Sequence, residues 1–193
     1  MKKKNLFSTA VLVLSLIVGT TGFAQNKMSK SSDVKTVGGA PMYPTKNIVE
    51  NAVNSKDHTT LVAAVTAAGL VETLQSEGPF TVFAPVNKAF EALPQGTVET
   101  LLKPENKAAL QGVLTYHVLS GKFDAAAVVA AIKKGNGTAT FTTVAGGKLM
   151  AKIKDGNVQL TDENGRTALV TIADVHQSNG VIHVIDAVVL PKS

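Results

Sequence analysis

The sequence predicts an α+β fold of one domain. Three observations predict it. Up to about residue 134, apolar residues recur at helical spacing. Beyond Gly137, short β-rich runs alternate with turn residues. No internal repeat is present, and helices gathered before strands differ from the strict alternation of a parallel α/β sheet.

The N-terminus is read as a leader. Met1-Lys2-Lys3-Lys4 precedes an apolar run from Leu6 to Val18, and Gly22-Phe23-Ala24 ends in a small-x-small pattern. These are the parts of a secretory signal peptide, expected to be cleaved after Ala24. The apolar run of 13 residues falls short of the roughly 20 that span a bilayer. Residues 25–44 are polar and rich in small residues, and a flexible leader is expected there. Within it, Met42 and Tyr43 are the apolar anchors that can tie down its end.

The helical elements follow in order. Asn47 to Val53 makes a short helix through Ile48, Val49 and Ala52. Asp57 is placed as the N-cap of the next helix, where Leu61, Val62, Val65 and Ala68 share a face and Gly69 supplies the stop. Leu70, Val71 and Leu74 extend the pattern. Phe80 to Ala84 is strand-like and ends at Pro85, which has no N–H to pair. Asn87 is placed as the cap of a helix over Lys88 to Leu93, and Thr97 as the cap of one through Leu102. Pro104 fits a first helical turn, with Leu110, Val113, Leu114 and His117 on its buried face. Asp124 caps a helix to Ile132, closed by Gly135.

Five strands are then expected: Thr138 to Val144, Lys148 to Ile153, Val158 to Thr161, Leu169 to Val175 and Val181 to Val189. The pairs Gly146-Gly147, Asp155-Gly156, Asn164-Gly165 and Asn179-Gly180 separate them and offer the positive φ of tight hairpins.

Composition narrows the function classes. There are no cysteines, so disulfides, thiolate metal sites, a cysteine nucleophile and a lipidated cysteine are all excluded. The formal charge of +5 includes Lys2, Lys3 and Lys4; without residues 1–24 it becomes 16 − 14 = +2. Basic residues are scattered, so nucleic acid is not an expected partner. No serine sits in a Gly-x-Ser-x-Gly elbow, no two histidines have helical metal-ligand spacing, and Asp162-Glu163-Asn164-Gly165 is a hairpin turn and not an EF-hand loop. No cofactor, metal or catalytic residue is assigned.

Two segments carry a family likeness. The first is Gly78-Pro79-Phe80-Thr81-Val82-Phe83-Ala84-Pro85-Val86-Asn87-Lys88-Ala89-Phe90. The second is Asn179-Gly180-Val181-Ile182-His183-Val184-Ile185-Asp186-Ala187-Val188-Val189-Leu190-Pro191. Together they resemble the signature boxes of the fasciclin domain. Leu114-Thr115-Tyr116-His117-Val118-Leu119-Ser120-Gly121 resembles its tyrosine–histidine motif, and Asn47-Ile48-Val49-Glu50 its opening helix. The resemblance covers about residues 45–191. It implies two β-sheets in a wedge or sandwich with helices packed around them, and no enzymatic activity. It also implies a role in adhesion, matrix or biofilm assembly, or host association. One departure is Val86, where the first box often has a polar Thr, so a hydrogen bond is expected to be missing there.

The resemblance makes Tyr116, His117, Val113, Leu114, Val118 and Leu119 a candidate interaction motif, provided a partner can reach them. Read from the residues alone, His117 belongs in the core with its nitrogens paired. Thr81, Phe83, Pro85, Asn87, Phe90, His183 and Asp186 are expected to be structural. His183 and Asp186 are three apart in a strand, on opposite faces, and cannot act jointly. The expected protein is secreted or periplasmic, not a lipoprotein, and without a membrane span once the signal is removed. Its partner is an unnamed protein, glycan or matrix component. The alternative function is a periplasmic carrier of an apolar small molecule such as a pigment or lipid, with the helix from Asp124 to Ile132 as one wall of a groove.

Overall fold

A computed structural model describes residues 34–192. The signal peptide expected over residues 1–24, and residues 25–33, lie outside this range.

The chain opens with a hairpin of β1 (Lys35–Val37) and β2 (Ala40–Met42). Gly38 and Gly39 turn it at φ 58° and 77°, the left-handed pair that a two-residue hairpin needs. Val37, Ala40 and Met42 are buried in the core. The leader expected over residues 25–44 therefore ends earlier, because three apolar side chains anchor its last ten residues. Asn51, fully buried, secures the exit. It accepts from the Tyr43 N–H and donates to the Tyr43 carbonyl and to Gln177.

Helices α1 (Ile48–Ala52), α2 (Thr59–Ala68), α3 (Val71–Gln75), α4 (Asn87–Glu91), α5 (Thr97–Leu101) and α6 (Lys107–Tyr116) follow, interrupted by β3 (Phe80–Pro85). Asn47 and Glu50 form a reciprocal capping box on α1. Gly69 ends α2 at φ 71°. Next come β4 (Val118–Ser120), α7 (Ala125–Lys134), β5 (Thr138–Thr142), β6 (Lys148–Lys154), β7 (Asn157–Thr161), β8 (Thr167–Gln177) and β9 (Gly180–Ile185). Asp124 caps α7 by accepting from the Ala127 N–H, and Gly135 closes it.

Three caps differ from expectation. Asp57 sits inside a short 3-10 turn and caps nothing. Thr97 opens α5, whose cap is Gly96 at φ 81°. Asn87 is the first residue of α4 and does not cap it; its Oδ1 accepts from the Thr60 N–H at 3.0 Å and its Nδ2 donates to the Lys56 carbonyl. It caps α2 across the fold. Val86 stands at the cap position of α4 without a side-chain bond, as its apolar side chain requires.

The strands run in the order β4-β3-β9-β8-β7-β6-β5. At β8 the ladder changes hands. Thr167 to Leu169 pair with β7, and Val170 to Gln177 pair with β9, with register shifts on either side of Ile172. The fold is thus α+β, with two sheets joined through one shared strand. All pairings beyond residue 134 are antiparallel, but β3 and β9 are parallel, with Phe80 opposite Gly180. Gly180 is not at positive φ. A Cβ there would lie 2.2 Å from the Phe80 carbonyl oxygen, so the glycine serves close strand approach instead of the turn.

Alternation along β3 and β9 divides two cores. Val82, Ala84, Ile182 and Val184 face helices α1, α2, α4 and α6. Phe83 and Ile185 face the other way, with Tyr116, Leu149, Leu160, Val189 and the inner side of α7. Val128 and Ile132 of α7 are buried in this second core.

Candidate functional site

The tyrosine–histidine motif is interior. Tyr116 and Leu119 are at most 1% exposed, and Leu114, His117 and Val118 are buried; Val113 is half-buried. Five of the six candidate interaction residues are thus buried away from the surface, and Leu114, His117 and Val118 line the cavity described below. The Tyr116 hydroxyl donates to the Lys148 carbonyl at 2.6 Å and accepts from the Glu163 N–H. Burial pushes it up to about 12, opposed by the Glu163 N–H and aided by the Glu163 and Asp162 charges.

His117 joins three segments. Its Nδ1 donates to the Val113 carbonyl at 2.8 Å, and its Nε2 accepts from the Val189 N–H at 3.3 Å. Only the neutral ring can do both. Burial pulls His117 down to about 4, against the Val113 carbonyl and the Asp162 charge. His183 repeats the design. Its Nε2 donates to the Phe123 carbonyl at 2.8 Å, its Nδ1 accepts from the Asp174 N–H, and its ring stacks on Phe83 at 5.6 Å. Burial lowers it too, opposed chiefly by the Phe123 carbonyl and the Asp174 and Asp124 charges.

The remaining signature residues make contacts within the fold. Thr81 is fully buried; its hydroxyl donates to the Gly121 carbonyl and accepts from the Phe123 N–H. Pro85 is the last residue of β3, and Phe90 packs in the helical core. Asp186 is exposed and accepts from the Leu169 N–H at 2.7 Å. It shares no partner with His183, as their spacing requires.

Two aspartates do more than the sequence indicates. Asp162 is 1% exposed and accepts from three backbone N–H groups, those of Asn164, Arg166 and Leu190. It closes the β7–β8 turn and ties down the final segment. Asp174 sits at φ 55° within β8 and accepts from the Ala125 N–H at the start of α7. The turn role of Asp162 is local and agrees with the expected hairpin, but its bond to Leu190 and the bond of Asp174 to Ala125 each depend on a segment distant in sequence. Among the described residues, no three His, Asp or Glu side chains converge as a metal site.

The helical core contains an apolar cavity of about 200 Å³. Its walls include Met42, Leu61, Val62, Val65, Leu74 and Ile182. It is bounded by α1 to α3, the end of α6, the helix-facing side of β3, the start of β4 and Val144. None of residues 124–132 lines it; Val128 and Ile132 of the groove expected there pack in the other core. His58 and Ser55 also line it. The Ser55 Oγ lies 2.9 Å from His58 Nδ1, while Nε2 is buried with no partner. Leaving such a group unpaired costs about 1–3 kcal/mol. Burial lowers the His58 pKa, opposed by the nearby Ala84 carbonyl and the Asp57 charge.

The family profile described as "Fasciclin domain" matches residues 56–191. The chain belongs to the fasciclin-domain family. This fasciclin-domain protein is 47% identical over 183 residues to Protein sll1483 of Synechocystis, covering 95% of this chain and 93% of that protein. It is 37% identical over 133 residues to transforming growth factor-beta-induced protein ig-h3 of Sus scrofa, covering 69% of this chain but 17% of that longer protein. Its fold is similar to a FAS1 domain pair from the insect cell adhesion molecule fasciclin I, with a TM-score of 0.67 at 16% identity. That match covers 75% of this chain and about half (51%) of the other. Among the described residues, no helix is long and apolar enough to cross a membrane.

Proposed function

We propose that this fasciclin-domain protein is a secreted or periplasmic, non-enzymatic interaction module. It works in adhesion to a cell surface or matrix, through the outer face of β5 and β6. That face carries the reading. Lys148, Met150, Lys152 and Lys154 alternate outward along β6, and Met150 is 38% exposed. Register places Thr142, Thr140 and Thr138 beside the first three. Lys152 and Lys154 are two residues apart, about 7 Å along a strand. Three ammonium groups, hydroxyls and one apolar side chain suit an acidic polymer such as an anionic glycan. The sealed motif residues support placing contact here, because Tyr116 and His117 offer no surface. One such face binds weakly, so many copies on a matrix supply the avidity.

The test replaces Lys148, Lys152 and Lys154 together with Glu in a strain lacking the native copy. Attachment and matrix association are expected to fall to the level of the deletion strain. A deletion strain that attaches normally removes the reading.

The cavity favours a second reading, carriage of an apolar small molecule. Native mass spectrometry of protein from its own host tests it: a bound mass is expected, and a ligand-free sample counts against it.

A further inference from the structure

We infer that the cavity takes a compact apolar molecule of roughly eight to ten non-hydrogen atoms with one hydroxyl or carbonyl group bonded to Nε2 of His58. The inference rests on the carrier reading and adds to it the ligand's size, its single polar group and the residue that holds it.

Size comes first. A dry cavity of about 150 Å³ admits benzene, and this one is about 200 Å³. One ring with a short substituent, or a short branched chain, fills such a space. A long polyene pigment or a full-length lipid chain does not fit within it.

The polar requirement comes from His58. Buried polar groups are almost always paired, and the comparison within this molecule is direct. His117 and His183 use both ring nitrogens. His58, 4% exposed, makes one hydrogen bond, through Nδ1; the Ala84 carbonyl lies near the ring but outside bonding geometry with Nε2, which stays unpaired. His176 also has an unpartnered Nδ1, but it does not line the cavity. The Ser55 hydroxyl beside His58 Nδ1 can donate or accept. The ring can therefore present Nε2 either as a lone pair or as an N–H, matching a ligand hydroxyl or a ligand carbonyl.

Entry has a visible place. Val53, just after α1, and Val144, in the β5–β6 turn, line the cavity yet are 54% and 49% exposed. Apolar side chains left in water beside an apolar cavity are the rim that such a ligand crosses. The Val144 turn is held in place, since the Val144 N–H donates to the Val118 carbonyl and the Ala145 N–H to the Thr115 carbonyl.

The experiment titrates the chain lacking residues 1–24 with 4-ethylphenol and with ethylbenzene, read by calorimetry and NMR. Both are expected to bind, 4-ethylphenol about tenfold more tightly through its hydroxyl. His58→Leu is expected to erase that preference and keep ethylbenzene binding. Val62→Phe, which fills the cavity from α2, is expected to abolish both without lowering Tm. If neither probe binds the unmodified chain, the carrier reading and this inference both fall. If both bind with equal affinity, or His58→Leu keeps the preference, the cavity stands as a site and the His58 assignment is overturned. Should His58→Leu not fold, the ¹⁵N shift of His58 Nε2 in the unmodified chain decides. Movement on adding 4-ethylphenol supports the assignment, and an unmoved signal overturns it.

Discussion

The two cores on either side of β3 and β9 are built differently. The strand-side core holds Phe83, Tyr116, Leu119, Leu149 and Leu160, each at most 1% exposed, and its polar groups are tied: Tyr116 to Lys148, His183 to Phe123. The helix-side core is walled by short helices and contains the cavity and the unpaired His58 nitrogen. One sheet thus separates a filled, rigidly bonded half from a half with room in it. The lesson is that the signature segments form one wall of the available space, through Val82, Ala84, Leu114, His117 and Ile182, and the short helices form the other. The signature strands build the frame, and the opening lies between that frame and the helices packed on it.

The sharpest way to break this contrast is to truncate a leucine in each core. Leu160→Ala is expected to cost about 4 kcal/mol, because it leaves a void in a filled core. Leu61→Ala, at the cavity wall, is expected to cost nearer 2 kcal/mol, since fewer neighbouring atoms are lost. Urea unfolding of both variants measures this, and equal losses would remove the distinction.

Acid is the next test. His117 titrates near 4 when folded and near 6.5 when unfolded. Between those values the unfolded chain binds the extra proton, so stability is full above pH 6.5 and declines as pH falls toward 4. The loss is roughly 3 kcal/mol. His183, also lowered by burial, acts in the same direction. Denaturation midpoints at pH 7.5, 5.5 and 4.5 should fall in that order, and His117→Gln should flatten the trend.

Asp174→Ala should cost about 2 kcal/mol. It removes the bond to the first turn of α7 and leaves a β-carbon at positive φ. Thermal unfolding measures it. The smallest effect is a gain: Val86→Thr gives α4 a capping hydroxyl and should add roughly 0.5 kcal/mol, visible as a slight rise in Tm. A drop would show that Val86 matters more for its packing on the helix-side core.

Much of the frame is legible in the sequence where the cause is local. Gly69 stops α2 and Asp124 caps α7 because both act within a few residues of themselves. The family boxes likewise announce β3 and β9. What sequence does not reveal is whatever depends on distant neighbours. Asn87 has the chemistry of a cap, but the helix it caps begins at Thr59. Gly180 reads as a turn glycine, yet its reason is the Phe80 backbone opposite. Of the two anchors expected near residue 44, Met42 is buried but Tyr43 is 41% exposed, and the segment orders because the Gly38-Gly39 turn lets Val37 and Ala40 join Met42 in a core made by later elements. At the candidate site, the apolar periodicity of α2 predicts a buried face but not that the face is left partly unfilled. His58 carries no pattern that sets it apart from a surface histidine.

The parallel pairing of β3 with β9 has a consequence for how the molecule is made. Phe80 meets Gly180, so the central contact closes a loop of about one hundred residues before it returns any stabilisation. Such non-local pairing slows folding toward the millisecond-to-second range. The centre of the sheet also cannot assemble until β9 is available, near the end of the chain. Until β9 pairs, both edges of β3 that it and β4 cover depend on segments later in the chain, so the sheet centre forms as one late, cooperative event.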